Sequence, residues 1–301
     1  MDTAGAATNW TLLDLLNWTT DYFQKRGIDD ARLNAELLLS EATGLERIML
    51  YAKFEDIASP SVKEPYRRMV KKRGQRCPLQ YVLGKGEFYG REFQLNSSVM
   101  VPRPESELLI DKCLRLLPSE GDVAKVADIG TGSGIIAVTL ACERPRLSVI
   151  ATDISGEALE TARHNAEIHG VEDRISFENG KFFKPLFYRG WGGGDKIDII
   201  VSNPPYIRSE DIAGLQPEVS CWEPVMALDG GADGLEAIRV LLETGADVLK
   251  AGGWLVMEVG AGQSDAVRAI IERNEGWSDE NTHYVKDGAG HERVICTMRK
   301  G

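Results

Sequence analysis

The 301-residue sequence predicts an α/β protein: a mostly parallel sheet covered on both faces by helices, preceded by a small helical bundle and a short β-hairpin. Three observations carry this reading. Beyond about residue 121, short apolar runs alternate with stretches of helical periodicity. The first eighty or so residues repeat apolar positions at helical spacing and hold no period-2 stretch. Between these regions, aromatic residues sit among glycines and polar residues.

In order along the chain, Leu12, Leu13, Leu15, Leu16, Tyr22 and Phe23 predict a helix that stops at Gly27. Asp29 or Asp30 is expected to cap a second helix running to Gly44. A short helix over 48–51 and a longer one over 60–74 complete the bundle. Phe88, Tyr89, Phe93 and Leu95, followed by Val99 and Val101, mark the hairpin, and Pro104 opens a helix through Leu114. Strands follow at 123–129, 148–153, 175–178, 197–202 and 254–259. Helices are expected at 135–143, 155–169, 235–249 and from about Ser264. Residues 284–286 and 293–298 read as a terminal antiparallel pair, and Gly190–Gly194 as a flexible loop. The resulting division is 1–84, 85–104 and 105–301.

Composition excludes several classes. A formal net charge of -11 argues against gripping duplex nucleic acid over the whole surface, because phosphate binding needs a positive face. The five cysteines are an odd number without a Cys-x-x-Cys pair, so neither a disulfide framework nor a metal site is expected. Reduced thiols and a cytoplasmic location follow. The N-terminus carries neither a secretory signal nor a basic transit peptide, and no apolar run reaches the ~18 residues of a membrane span.

The first chemical signal is Asp128-Ile129-Gly130-Thr131-Gly132-Ser133-Gly134 at a strand-to-helix turn. Glycines there let the backbone approach a ligand, and the following helix presents unpaired N–H groups. Asp153 ends the next strand, about twenty residues on, where a carboxylate can accept from both hydroxyls of a ribose. A plain tight turn would show the same glycines, and NAD and S-adenosylmethionine (SAM) both fit the pair of signals. The spacing is Gly-x-Gly-x-Gly, without the third glycine placement that a pyrophosphate requires, which favours SAM.

The second signal is the buried run Ile199-Ile200-Val201-Ser202 leading into Asn203-Pro204-Pro205-Tyr206. Asn-Pro also starts ordinary turns. Two prolines, however, stiffen the backbone, and Pro204 lacks an N–H while keeping its carbonyl. The segment therefore offers two fixed acceptors, the Asn203 side-chain oxygen and the Pro204 carbonyl, beside the flat face of Tyr206. Such a set suits a planar NH2 group, whose delocalised nitrogen must be held in line with a methyl donor. The product cation is acidic and sheds its proton readily, so no dedicated base is needed. His164, His169, His283 and His291 are read as solvated or structural.

These motifs resemble the HemK/PrmC family, the glutamine methyltransferases of peptide chain release factors. The resemblance spans nearly the whole chain. It includes Arg76-Cys77-Pro78-Leu79-Gln80-Tyr81-Val82-Leu83-Gly84, Phe88-Tyr89-Gly90 and Val101-Pro102-Arg103-Pro104-Glu105-Ser106-Glu107. It continues through Asp128–Gly134, Asn203–Tyr206, Glu223-Pro224 and Ala227-Leu228-Asp229-Gly230-Gly231. It implies a class I, Rossmann-like SAM-dependent methyltransferase domain with a seven-stranded, mostly parallel sheet, preceded by a helical substrate-docking domain and a linking hairpin. It also implies methylation of the glutamine in a Gly-Gly-Gln motif, which modulates translation termination. Carried over, Gly130, Thr131, Gly132, Ser133, Gly134 and Asp153 hold SAM and Phe182 flanks its adenine. Asn203 touches both SAM and the acceptor, and Asn203, Pro204, Pro205 and Tyr206 bind the glutamine.

A sister family methylates a ribosomal-protein glutamine and shares Asn-Pro-Pro-Tyr, but its hairpin-to-helix segment looks like Pro-Arg-Ser-Pro-Ile; Pro102-Arg103-Pro104-Glu105 favours the release-factor enzyme. Adenine methylation in nucleic acid uses the same acceptor motif and is disfavoured by charge and by the absence of a large region for reading DNA. A non-catalytic SAM-binding module is disfavoured by the intact Asn203–Tyr206 segment. One departure stands out: Gly180-Lys181-Phe182-Phe183 replaces the family's Gly-Asp-Leu-Phe, so Lys181 cannot accept from the adenine amine. The basic run from Lys63 to Arg76 is either a solvated face or a docking surface for an acidic patch. Glu223, Glu258 and Trp222 are candidates for lining the site. A monomer with no stable nucleic-acid or membrane partner is expected.

Overall fold

The computed structural model describes residues 9–118, 122–188 and 197–301; the expected Gly190–Gly194 loop and the first eight residues lie outside these. Two compact units divide between Gly84 and Lys85.

Among the described residues the N-terminal unit holds five helices: α1 (Leu12–Gln24), α2 (Ala31–Thr43), α3 (Arg47–Ala52), α4 (Pro60–Gly74) and α5 (Leu79–Leu83). Thr11 and Asp14 form a reciprocal capping box at the start of α1. Leu12, Leu16 and Phe23 of α1 pack on Ala35, Leu38 and Leu39 of α2 and Tyr66 and Val70 of α4. The cap expected of an aspartate before α2 is corrected. Asp30 occupies the position in a left-handed conformation (φ 48°), and its side chain makes no capping bond. Asn34 instead donates its side-chain amide to the carbonyls of Asp29 and Asp30.

The second unit opens with the hairpin β1 (Lys85–Phe88) and β2 (Arg91–Gln94). Its two-residue turn has positive φ at both Tyr89 and Gly90, the geometry that suits right-twisted strands. Pro104 does not open an α-helix directly. Residues Pro104–Ser106 form a 3₁₀ turn, and α6 (Glu107–Leu116) follows, which leaves Ser106 fully buried at the junction.

The main sheet comprises β3 (Ala124–Ile129), β4 (Leu147–Asp153), β5 (Ile175–Asn179), β6 (Ile197–Ser202), β7 (Leu249–Glu258), β8 (Trp277–Lys286) and β9 (Glu292–Arg299). Its order is β5-β4-β3-β6-β7-β9-β8; the pairs from β5 through β7 are parallel, and β9 is antiparallel to both neighbours. The remaining helices are α7 (Ile135–Glu143), α8 (Gly156–Ile168), α9 (Lys184–Tyr188), α10 (Pro217–Ser220), α11 (Val225–Leu228), α12 (Glu236–Val248) and α13 (Ser264–Glu272).

The strands serve two cores by simple alternation. Val126, Val149, Val201 and Val256 join α6 and α7 on one face. Ala127, Ile150, Ile200 and Met257 join α12 and α13 on the other. Trp277 is the largest fully buried side chain among the described residues, and its indole N–H donates to the Leu242 carbonyl at 2.8 Å. The strand order reverses between β3 and β6, so a crevice opens beyond their carboxyl ends, where α/β sheets place ligands.

Candidate active site

The glycine turn follows β3 at this reversal. Gly130, Gly132 and Gly134 have φ of 78°, 57° and 81°, values costly for any residue with a Cβ. Their surroundings differ. A Cβ on Gly130 or Gly132 would meet nothing within 4 Å, so both face open space. A Cβ on Gly134 would lie 3.0 Å from the Ala162 Cβ, so this glycine lets α7 and α8 pack closely. Gly130 and Gly132 therefore form a cradle, while Gly134 is a packing position.

The cradle is braced from below. The N–H groups of Gly130 and Thr131 both donate to the Thr152 carbonyl at 2.9 Å. The Thr131 hydroxyl turns inward to Asp128 (2.7 Å), and the Ser133 carbonyl accepts from the Asn165 amide (2.8 Å). Asp128 is fully buried; one of its oxygens accepts from Thr131 and the Ala137 N–H, and the other, Oδ1, has no hydrogen-bond partner among the described residues. Burial pushes this carboxyl up to about 7.

Asp153 caps β4 beside the cradle. Its Oδ2 accepts from Gly132 N–H and its Oδ1 from Ser155 N–H, both at 2.9 Å. Each carboxylate oxygen keeps further lone-pair capacity. Phe182 is half-buried with a left-handed backbone (φ 51°), its carbonyl accepting from the Thr152 hydroxyl at 3.3 Å. The Lys181 ammonium lies 5.6 Å from the centre of the Phe182 ring. An open glycine cradle, a carboxylate at the neighbouring strand end and an unpartnered buried Asp128 oxygen fit a nucleoside carrying a polar, charged tail.

Asn203, Pro204 and Tyr206 line a cavity of about 200 Å³ that also includes Arg103 and apolar Met100, Ile207, Leu215 and Val219. Pro205 does not line it; its carbonyl packs against Gly230, where an added Cβ would sit 2.8 Å away. The Asn203 amide NH2 donates to the Ser106 hydroxyl at 2.9 Å, and among the described residues no donor reaches its Oδ1. Ser106 donates on to Glu258 at 2.6 Å, and the Tyr206 phenol donates to the other Glu258 oxygen at 3.0 Å. Burial pushes both the Glu258 carboxyl and the Tyr206 phenol upward. The bonds from Ser106 and Tyr206 and the nearby Arg293 charge oppose the shift on Glu258.

Glu223 is buried and ion-paired with Arg103, and it accepts the Val101 N–H at 3.3 Å. Burial raises its carboxyl against the pull of Arg103. The pair fixes the guanidinium in the cavity wall.

A second loop holds the acceptor backbone in place. Ile207 N–H donates to the Leu228 carbonyl and Gly230 N–H to the Ile207 carbonyl. Gly234 (φ 76°) passes so close that a Cβ would lie 2.4 Å from the Tyr206 carbonyl. Gln263 donates to that same carbonyl at 2.9 Å. Ser106, Gln263 and Gly234 are thus site residues that residue spacing does not reveal. Ser106 falls within a stretch quoted for the resemblance, whereas Gly234 and Gln263 carry no such signal. The histidines do sit in structural or solvated places. His169 Nε2 meets the Glu92 carbonyl at 2.9 Å, His283 stacks on Trp254, and His164 is exposed.

Residues 14–84 match the PrmC N-terminal domain, and residues 105–215 match the methyltransferase small domain. A release factor glutamine methyltransferase of Geobacter sulfurreducens is 41% identical over 95% of this chain and 96% of its own length. One from Bacillus subtilis is 38% identical over 96% of this chain and 98% of its own. Among solved structures, the hMettl16 catalytic domain in complex with a MAT2A 3′UTR hairpin aligns with a TM-score of 0.56 at 15% identity, over 79% of this chain and 80% of that one. That likeness shows the class I methyltransferase fold. The methyl donor is S-adenosyl-L-methionine. On sequence over 95–96% of its length and on fold, this chain belongs to the HemK/PrmC family of release factor glutamine methyltransferases.

Proposed function

We propose that the protein methylates the side-chain amide nitrogen of the glutamine in the Gly-Gly-Gln motif of peptide chain release factors. The observation that supports this most is the orientation of Asn203. Its NH2 is engaged by Ser106, so its carbonyl oxygen is presented as an acceptor at a cavity shared with Pro204 and Tyr206.

Gly130, Thr131, Gly132, Ser133, Gly134 and Asp153 would hold SAM, with Phe182 at its adenine; in this reading Gly130 and Gly132, which face open space, and Asp153 make the contacts, while the Thr131 hydroxyl on Asp128, the Ser133 carbonyl under Asn165 and the packed Gly134 brace the turn. Bound SAM supplies an electrophilic methyl group. The amide nitrogen of glutamine is a weak nucleophile because its lone pair is delocalised. Asn203 Oδ1 and the Pro204 carbonyl each accept one of its protons, which holds the nitrogen in one orientation and stabilises the positive charge that develops there. The proton then lost is acidic enough to leave without a dedicated base. Tyr206 supplies a flat wall, fixed through its phenol by Glu258.

Residues 1–84 serve as the substrate-docking domain in this reading, joined by 85–104 to the catalytic domain at 105–301. Within the basic run, Arg73 is spent on Asn34 and the Cys77 carbonyl, and Arg76 on the carbonyls of Arg26 and Gly27. The exposed Arg67, Arg68 and Lys71, with Lys72 beside them donating to the Tyr81 carbonyl at 3.4 Å, carry the charge that would meet an acidic patch. Transfer of labelled methyl to purified release factor, ribosomal protein or DNA tests the reading: label on the release factor alone is expected, and label on DNA or ribosomal protein alone would overturn it.

A further inference from the structure

An asparagine side chain has two nearly isosteric ends with opposite hydrogen-bonding character. At this site only one orientation works. With Oδ1 toward the substrate, Asn203 accepts from the acceptor NH2; reversed, it sets donor against donor. Neither the apolar residues of the cavity wall nor the stiff Pro204-Pro205 backbone distinguishes the two ends. Something must.

The buried polar chain beneath the site does. Glu258 is 1% exposed and receives two hydroxyl donors, Ser106 at 2.6 Å and Tyr206 at 3.0 Å. Ser106 donates to one Glu258 oxygen and Tyr206 to the other, which favours the ionised carboxylate against the pull of burial, and an ionised carboxylate only accepts. The Ser106 hydroxyl has a single proton, and it is committed to Glu258. What Ser106 then offers Asn203, 2.9 Å away, is a lone pair, which the amide NH2 satisfies and the amide oxygen would not. Ser106 is itself held without freedom, fully buried at the junction of the 3₁₀ turn and α6. The polarity of the chain runs from Asn203 through Ser106 to Glu258.

We propose that Ser106, anchored by Glu258, is a positioning residue that fixes the orientation of the Asn203 amide and so presents its oxygen to the substrate. The inference rests on the functional reading above, in which Asn203 accepts from the glutamine amide.

The test is a kinetic cycle on the full chain with a release-factor substrate, combining S106A, S106T, N203A and the double variant S106A/N203A, with SAM affinity and thermal melting measured for each. S106A should lower kcat by roughly 10-fold with little change in KM, since orientation of the reacting groups is what is lost. S106T keeps the hydroxyl and should recover most of the rate; it also covers the case in which the alanine variant does not fold. In the double variant, loss of Ser106 should add almost nothing to the loss from N203A, because a residue acting only through Asn203 has no effect once Asn203 is gone. A merely structural serine would instead lower melting and SAM affinity and multiply with N203A. Unchanged kcat in S106A, or full multiplication in the double variant, overturns the positioning role while leaving the functional reading intact. If the wild-type protein transfers no methyl to glutamine, the functional reading fails and the role falls with it.

Discussion

Gln263 donates its side-chain amide to the Tyr206 carbonyl at 2.9 Å while its own oxygen accepts the Gly260 N–H at 2.8 Å. One side chain thus ties the residues after β7 to the end of the acceptor segment. Gln263→Glu keeps the acceptor but loses the donor and sets a carboxylate against the carbonyls of Tyr206 and Gly234. It should cost on the order of 1–3 kcal/mol in stability, as for a buried polar group left unpaired, and should be at least as damaging to kcat as Gln263→Ala. Chemical denaturation and steady-state kinetics check both statements.

Asn203→Ala removes the side-chain acceptor. The rate of methyl transfer should fall by about 100-fold or more, with the melting temperature nearly unchanged. Single-turnover kinetics at saturating SAM isolates the chemical step; normal single-turnover rates would remove Asn203 from the proposed mechanism.

The two kinds of glycine in the cradle make opposite predictions. Gly132→Ala places a methyl group in open space, so the fold should lose only the roughly 1–2 kcal/mol of a left-handed alanine while SAM affinity drops severely. Gly134→Ala drives a methyl into Ala162 and should destabilise by a further ~1–3 kcal/mol, with SAM affinity lost only as the fold is lost. Asp153→Ala should weaken SAM by about 10- to 100-fold, the value of hydrogen bonds to a charged acceptor. Calorimetric titration beside thermal melting separates binding from folding in all three.

Asp128 gives a pH signature. Its carboxyl is raised by burial from 3.8 to about 7, so the folded state holds a proton that the unfolded state has released. The sign follows: the SAM-free protein should lose stability as pH rises from about 4 to about 7, and the loss should level off above that. At about 1.4 kcal/mol per pKa unit, the span is at most on the order of 4 kcal/mol. Asp128→Asn cannot ionise and should flatten that part of the stability profile measured by urea unfolding. An unchanged slope in the variant would assign the dependence elsewhere.

Lys181 stands where the family pattern has a carboxylate, and its ammonium rests near the Phe182 ring. Lys181→Asp restores an acceptor for the adenine amine. It should tighten SAM by roughly fivefold, about 1 kcal/mol, the net value of one hydrogen bond. Equilibrium dialysis with labelled SAM reads this directly.

The parts of the fold legible in the sequence are those with local signals. β3, β4 and β6 are short, mostly apolar runs bounded by turns, and their observed ends lie within a residue or two of expectation. β7 and β8 extend beyond the strands read from the sequence for different reasons. In β7, Ala251-Gly252-Gly253 interrupts the apolar pattern, although Leu249 pairs with Ile197 of β6 and, past an irregularity in register, Trp254 pairs with Ile199. In β8, an edge strand, Ser278-Asp279-Glu280-Asn281 is polar and mostly solvent-facing; charge on an edge deters pairing with other chains and hides the strand from a hydrophobicity pattern.

The site divides in the same way. The glycine turn, Asp153 and Asn203–Tyr206 are contiguous or regularly spaced, and all lie at strand ends along the crevice. The support for Asn203 comes from Ser106, 97 positions away, and from Glu258, 152 positions beyond Ser106. Only the order of strands in the sheet brings these three together, and no local pattern encodes that. Asp30 shows the converse limit. A residue suited to capping stands at the cap position, yet the chain enters α2 through a left-handed turn that keeps its carboxylate from the helix N–H groups.

The most direct test of the central claim is mass spectrometry of a purified release factor after incubation with this protein and SAM, with fragment ions covering the Gly-Gly-Gln motif. A gain of one methyl group is expected, confined to the glutamine side chain and absent with Asn203→Ala. An unmodified glutamine, with SAM binding by the protein confirmed in parallel, would contradict it.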